Sequence, residues 1–300
     1  MKLLLGIILC AAAATAFFPR SAGASPEEEV VLGLTCAEET VALGREIPLE
    51  VQLVKKKGRP VTVNSLRLAR NSVTLLVTFG TSTHEVTRIY GREVRRSDDT
   101  FVLEDETPPK SVLRRARPLH LDLPVLALRP GKCSIQAVYT GMEEGRVRLE
   151  SEKVEIEITA ETGRNRIGAV LETSEGAMTF ELWPEEAFGT VLNFLTLAKA
   201  RRYDGLTFHR IIRTGYIQGG DPKGDGTGRP DWTIPGEFHK SIRHEKGVIS
   251  MARAAPLPDS AGSQFFICHG TATSLDGQYT AFGQLVKGDD VLEKIATSPV

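Results

Sequence analysis

An alternation of apolar and polar residues runs through the first half of the chain and stops at one polar segment. No other feature restricts the fold as much. In "IPLEVQLV", Ile47, Leu49, Val51 and Leu53 fall on one face, and in "VEIEI" Val154, Ile156 and Ile158 do the same. A period of two places every second side chain on one side of a strand. "SVTLLVTF" reads as a buried strand, and "LRPGKCSIQAVYTG" sets a Pro-Gly turn before a strand and a glycine after it. Short strands about ten residues apart, with no sustained helical period, predict a β-sandwich over residues 26–160.

That outline resembles the immunoglobulin-like modules common in exported proteins. The likeness is architectural and carries no activity, so the sandwich's partner stays unassigned. The polar stretch "TAETGRNR", residues 159–166, marks the boundary, and a second domain is expected over 165–300. Two domains suit a chain of 300 residues, since single cores stop growing at roughly 250–300 residues. Beyond the boundary, "IGAVLETSEGAMTFELW" predicts a hairpin with Ala169, Leu171, Met178, Phe180 and Leu182 inward. "EEAFGTVLNFLTLAKARRY" predicts a helix whose apolar stripe is Phe188, Val191, Leu192, Leu195 and Ala198, with acidic residues first and basic residues last. "DDVLEKIA" predicts a short closing helix capped by Asp289 or Asp290.

The N-terminus has the pattern of a secretory signal. Lys2 precedes an uncharged apolar run from Leu3 to Phe18, shorter than the ~20 residues of a spanning helix. Ala22 and Ala24 then stand in A-x-A spacing, which predicts a signal peptide over 1–24 and a periplasmic or extracellular protein. No further membrane segment is expected. Three cysteines follow, Cys36, Cys133 and Cys268. A Cys36–Cys133 bridge and two separate buried thiols are both open, and Cys268 reads as a core thiol. The formal net charge of −1 gives no electrostatic reason to expect nucleic acid as a partner, and Lys55-Lys56-Lys57 and Arg114-Arg115 are too short for a binding patch.

Four segments of the second half carry chemistry-bearing residues: "FHRII" (208–212), "IQGGDPKGDGTG" (217–228), "SMARAAPLPDSAGSQFFIC" (250–268) and "LDGQYTAFG" (275–283). Singly each is weak. "GDGTG" lacks the Gly-Lys-Ser/Thr of a phosphate loop, Ser263 lacks a nucleophile elbow, and His239 and His244 are off the helical register of a metal pair. In this order and spacing, together with "TVLNFLTLA" and "YDGLTFHRI", they resemble the cyclophilin family of peptidyl-prolyl cis–trans isomerases. The resemblance covers residues 165–300. It implies a mainly β fold: an eight-stranded β-barrel with two capping helices and a substrate groove on its outer face.

The reaction the resemblance implies is rotation about the bond before proline. Amide resonance holds a barrier of about 18–20 kcal/mol. No covalent bond breaks, so no nucleophile, cofactor or metal is required. The resemblance assigns catalysis to Arg210 and Gln218. A guanidinium can donate to the prolyl nitrogen as that atom regains its lone pair. It assigns the substrate groove to Phe208, Tyr216, Met251, Arg253, Ala254, Gln264, Phe266, Leu275 and Tyr279, with Phe266 as the principal wall of an apolar pocket. The expected partners are proline-containing peptides or unfolded protein segments, and the expected role is to assist folding of exported proteins. A weakly active proline-binding module and a cell-envelope scaffold are the alternatives.

Three departures from the family pattern matter. Arg213-Thr214-Gly215 replaces the usual Pro-Gly-Phe, so Gly215 stands where a pocket phenylalanine is expected. A regular strand would turn Tyr216 to the opposite face, whereas a bulge could swing it into the pocket; an unfilled place would remove about 1.5–3 kcal/mol of burial. Ser274 occupies a position where some members carry a tryptophan associated with cyclosporin binding. "IATSPV" stands where relatives continue into a last strand, so either the sequence is truncated there or the barrel closes differently, and an edge left unpaired would be an aggregation liability.

Overall fold

The computed structural model describes residues 29–57, 61–64, 73–86, 100–103, 119–143, 145–160, 166–230 and 232–298. The signal segment 1–24, Arg114-Arg115 and the middle of the boundary, 161–165, lie outside the described residues.

Among the described residues the first half contains three sheets. Strands β1 (Glu29–Cys36), β3 (Glu46–Lys57) and β8 (Leu119–Leu126) form one, in the order β1-β3-β8. The second runs β2-β11-β9-β5-β6, built from β2 (Thr40–Ala42), β5 (Val73–Phe79), β6 (Ser82–Val86), β9 (Gly131–Glu143) and β11 (Val154–Thr159), with β10 (Gly145–Glu150) also paired to β9. Strands β4 (Val61–Asn64) and β7 (Thr100–Leu103) form a separate ribbon. The alternation read from the sequence is the one that is buried. Ile47, Leu49 and Val51 from the first sheet share a core with Val73, Leu75, Ile135, Ile156 and Ile158 from the second.

Cys36, Cys133 and Cys268 are all free thiols. Burial pushes Cys133 up to about 11, with Glu155 and Cys36 adding to it, and pushes Cys268 up to about 12. Neither is a thiolate at neutral pH, so neither is poised as a nucleophile.

The second half curls one antiparallel sheet around its own core. Its strands are β12 (Gly168–Thr173), β13 (Gly176–Leu182), β14 (Arg210–Ile212), β15 (Tyr216–Gly219), β16 (Val248–Met251), β17 (Phe265–Cys268) and β18 (Ala281–Lys287), in the order β12-β13-β18-β16-β17-β15-β14. Eight strands were expected and seven are present among the described residues. The outer strands β12 and β14 each have one neighbour, and a cavity of about 710 Å³ lies beside both, floored by Phe194, Phe208, Ile211 and Phe265.

Two α-helices complete the fold among the described residues, and both differ from the sequence expectation at their ends. Helix α1 (Phe188–Lys199) begins after Glu185 and Glu186, so its first turn holds no acid. Its apolar face is also rotated: Phe194 and Leu197 are buried while Ala198 is exposed. Phe194 is drawn inward because it packs against Phe265 and Phe282, at 5.5 and 5.2 Å between ring centroids. Helix α2 (Asp289–Thr297) is capped by Gly288 and not by an aspartate side chain. Gly288 has φ +98°, and a Cβ there would strike the Ala177 carbonyl, so both backbone and space require glycine. Asp289 and Asp290 sit in the first turn, where the helix dipole favours them.

Candidate active site

The groove begins at the β14–β15 hairpin. Its turn closes through the Gly215 N–H donating to the Ile212 carbonyl at 2.9 Å, with Thr214 at φ +62°. Gly215 is spent on this turn and its neighbours: its carbonyl accepts from the N–H of His269 (2.8 Å) and Gly270 (3.1 Å). A Cβ on Gly215 would lie 2.9 Å from the Ile212 side chain, so a side chain here would require Ile212 to shift.

The hairpin register pairs Arg210 with Gln218 and Ile212 with Tyr216, without a shift. Along β15, Ile217 and Gly219 are buried, while Tyr216 and Gln218 share the outer face. The expectation that a regular strand would turn Tyr216 away from the pocket is therefore corrected. The pocket face is the Gln218 face, and no bulge is needed to place Tyr216 on it. Its ring lies 5.0 Å from Phe266.

Phe266 is 3% exposed and is the centre of a second apolar cluster, separate from the barrel core. Tyr216, Ala252, Leu275 and Tyr279 pack against that cluster. Tyr279 meets Phe266 edge-on at 5.7 Å. The result is a row of three rings, Tyr216–Phe266–Tyr279, with a guanidinium at each end. Arg210 stands over Tyr216 at 5.5 Å and Arg253 over Tyr279 at 4.6 Å. Gln218 donates through Nε2 to Oε1 of Gln264 at 2.9 Å. Gln264 in turn donates to the carbonyls of Gly226 and Gly228, which ties the pair to the loop after β15. That loop is organised by Asp221, which is fully buried and accepts backbone N–H bonds from Lys223, Asp225 and Gly226.

Two groove candidates lie elsewhere. Phe208 packs into the barrel core, edge-on to Phe265 at 6.3 Å, and Met251 is 1% exposed in that same core. Both follow from strand and core geometry: they face inward while Arg210 and Ala252 face out. The backbone of Ala254 is already taken, its N–H by Ser260 Oγ (2.9 Å) and its carbonyl by Ser260 and Leu257.

A family model described as "Cyclophilin type peptidyl-prolyl cis-trans isomerase/CLD" matches residues 169–300. A peptidyl-prolyl cis-trans isomerase from Helicobacter pylori (strain J99) is 41% identical over 143 residues, covering 44% of this chain and 87% of that protein. The chain belongs to the cyclophilin family. Peptidyl-prolyl cis-trans isomerase B of Bacillus subtilis is 46% identical over 122 residues, 40% of this chain and 84% of its own length. The crystal structure of a Cryptosporidium parvum cyclophilin, determined in the presence of the dipeptide Ala-Pro, is 33% identical over 44% of this chain and 87% of that one, with a TM-score of 0.43.

The cyclophilin groove also rests on residues that the motif reading passed over. His244 is 1% exposed, and its ring stacks on Phe266 at 5.9 Å. Its N–H and Nδ1 both bond Asp276 Oδ1, at 2.8 and 3.0 Å, and Nε2 lies 3.1 Å from Ser250 Oγ. An ionised Asp276 only accepts, so Nδ1 carries the proton and Nε2 accepts from the serine hydroxyl. Burial lowers the His244 pKa against the opposing pull of Asp276, so the ring is neutral. The backbone N–H of His244 leads the bonds that hold Asp276 below the ordinary carboxylate range. The sequence signal for this group was the histidine itself, tested only as a metal ligand.

Proposed function

We propose that this cyclophilin isomerises X–Pro bonds in proline-containing segments of exported proteins and so assists their folding. Residues 26–160 are a separate β domain joined to the isomerase domain at 165–300. A signal peptide at 1–24 directs the chain to the periplasm or the exterior. The last two points rest on the sequence patterns given above.

The observation that carries the catalytic reading is the placing of Arg210 beside the Phe266 row. Tyr216, half-buried, offers apolar surface to the proline ring, and Phe266, almost fully buried beneath it, backs that surface. Arg210 is exposed and lies at the end of that row, with no acidic partner among the described residues. In the twisted state the amide loses resonance, and the prolyl nitrogen gains a lone pair for Arg210 to meet. Gln218, held by Gln264, presents its remaining amide groups to the neighbouring peptide unit. Donors aimed at charge that develops only in the transition state raise the rate without tightening the ground state.

Tyr216 over Phe266 supports turnover, since it fills the pocket face that Gly215 was expected to leave bare. The test is two-dimensional NMR exchange on an Ala-Pro peptide. The protein should give cis–trans exchange cross-peaks at catalytic concentration. Arg210→Ala should slow them by about 10²–10³-fold, the usual cost of one such donor. An unchanged rate in that variant would remove Arg210 from the mechanism.

A further inference from the structure

Arg253 sits at the other end of the ring row from Arg210, and catalysis as described does not use it. Its guanidinium is fixed from three sides. Nε donates to the Gln278 carbonyl at 2.8 Å, Nη1 reaches the Leu257 carbonyl at 3.5 Å, and the group lies over Tyr279 at 4.6 Å and Phe238 at 5.9 Å. With Nε occupied, the Nη1–Nη2 edge remains, and that edge presents the parallel N–H pair that fits a carboxylate. No carboxylate pairs with Arg253 among the described residues. The acids of the surrounding loops, among the described residues, are committed elsewhere. Asp259 accepts the Gly236 N–H, Glu237 the N–H groups of Gly189 and Thr190, Asp225 the Thr227 N–H and hydroxyl, and Asp276 is bonded by His244 and Arg243. A preorganised, unpaired cation thus stands one ring away from Phe266.

We infer that Arg253 is a specificity-determining residue: it makes the groove favour proline segments with an acidic side chain next to the proline over those with a basic one. This rests on the isomerase reading of the same groove. Tyr279 spaces the guanidinium from Phe266, so a carboxylate on a flanking residue can meet it while the proline ring stays on the apolar row. A lysine at that place meets like charge. Because the fork is prefixed by stacking and two carbonyls, little rotamer freedom is lost on binding.

The experiment uses the full-length protein and peptides that differ only at one residue flanking proline: Glu, Ala or Lys, before it in one series and after it in the other. Dissociation constants are read by chemical-shift titration and cis–trans rates by exchange cross-peaks. In at least one series the Glu peptide should bind about two- to fivefold tighter than the Ala peptide, the span of a partly exposed ion pair, with the Lys peptide weakest. The order should compress at high salt. Arg253→Gln should erase the Glu/Ala ratio, and Arg253→Lys should keep part of it. Reading a ratio makes any general loss of groove integrity cancel. Equal affinities for Glu and Lys peptides in both series, or a Glu preference that survives in Arg253→Gln, overturn the inference. A charge order in binding without exchange peaks sustains the selectivity and sinks the isomerase reading, so the two fail separately.

Discussion

Gly215 and Tyr216 show how a single residue's meaning depends on which face it takes. In a motif alignment, glycine at the place of a pocket phenylalanine reads as damage. In the folded hairpin, Gly215 closes a turn and its carbonyl holds residues 269 and 270, while Tyr216 supplies the ring. Tyr216→Ala should therefore lower kcat/KM for an Ala-Pro peptide by about tenfold or more, since part of a ring's burial of about 1.5–3 kcal/mol is lost. A change below twofold would show that Phe266 alone forms the pocket. His244 is the second residue whose role is set by its surroundings. His244→Ala strands the buried Ser250 hydroxyl and removes the imidazole donor to Asp276, so chemical denaturation should report a loss of about 1–3 kcal/mol. The Phe266 ring resonances should shift with it, because His244 stacks on that ring.

Among the elements, α1 is stabilised at its start by a residue far away in sequence. Its N-cap position is Ala187, which offers no side-chain acceptor. The carboxylate of Glu237 does that work, accepting from Gly189 N–H (3.0 Å), Thr190 N–H (2.8 Å) and Thr190 Oγ1 (2.7 Å). A carboxylate at a helix N-terminus satisfies orphan donors and complements the dipole. Glu237→Ala should lower unfolding free energy by about 0.5–2 kcal/mol in a denaturant titration, the range of a lost cap. Glu237→Gln should recover part of it by keeping one acceptor. A similar long-range bond satisfies Asn193, which is fully buried in α1 and donates to the Gly262 carbonyl at 2.8 Å. The periodicity of α1 was readable because it is written in consecutive residues. Its true start and its buried face were not, because Glu237, Phe265 and Phe282 decide them.

Across the whole molecule, the first half touches the cyclophilin half through α1. The rings of His84 and Phe79 pack on Phe188 at 4.5 and 6.2 Å, Arg129 pairs with Glu185 at 3.0 Å, and Lys199 meets Glu46 at 3.3 Å. These contacts are on α1 and the turn before it, so they leave the Arg210–Phe266–Arg253 row open. Burial, then the Arg129 charge, lowers the His84 pKa. A histidine with a lowered folded pKa binds fewer protons folded than unfolded, so stability rises with pH between the two values. The contribution is present above the unfolded value of about 6.5 and is lost as pH falls below it. Urea titrations from pH 8 to 5 should show declining stability, and His84→Gln should flatten part of the decline; an identical slope would place the acid-sensitive group elsewhere. The sequence by itself determined the strand alternation of both halves, and its motifs carried the family resemblance that assigns Arg210, Gln218 and Phe266 to one groove, because local periodicity and motif order are properties of the linear chain. Tertiary structure alone decided that Tyr216 faces the pocket while Phe208 and Met251 face the core, that Glu237 caps α1, and that Arg253 stands over Tyr279 with no carboxylate partner among the described residues. Each of these depends on which residues from distant segments meet, and a sequence does not write its cross-strand partners.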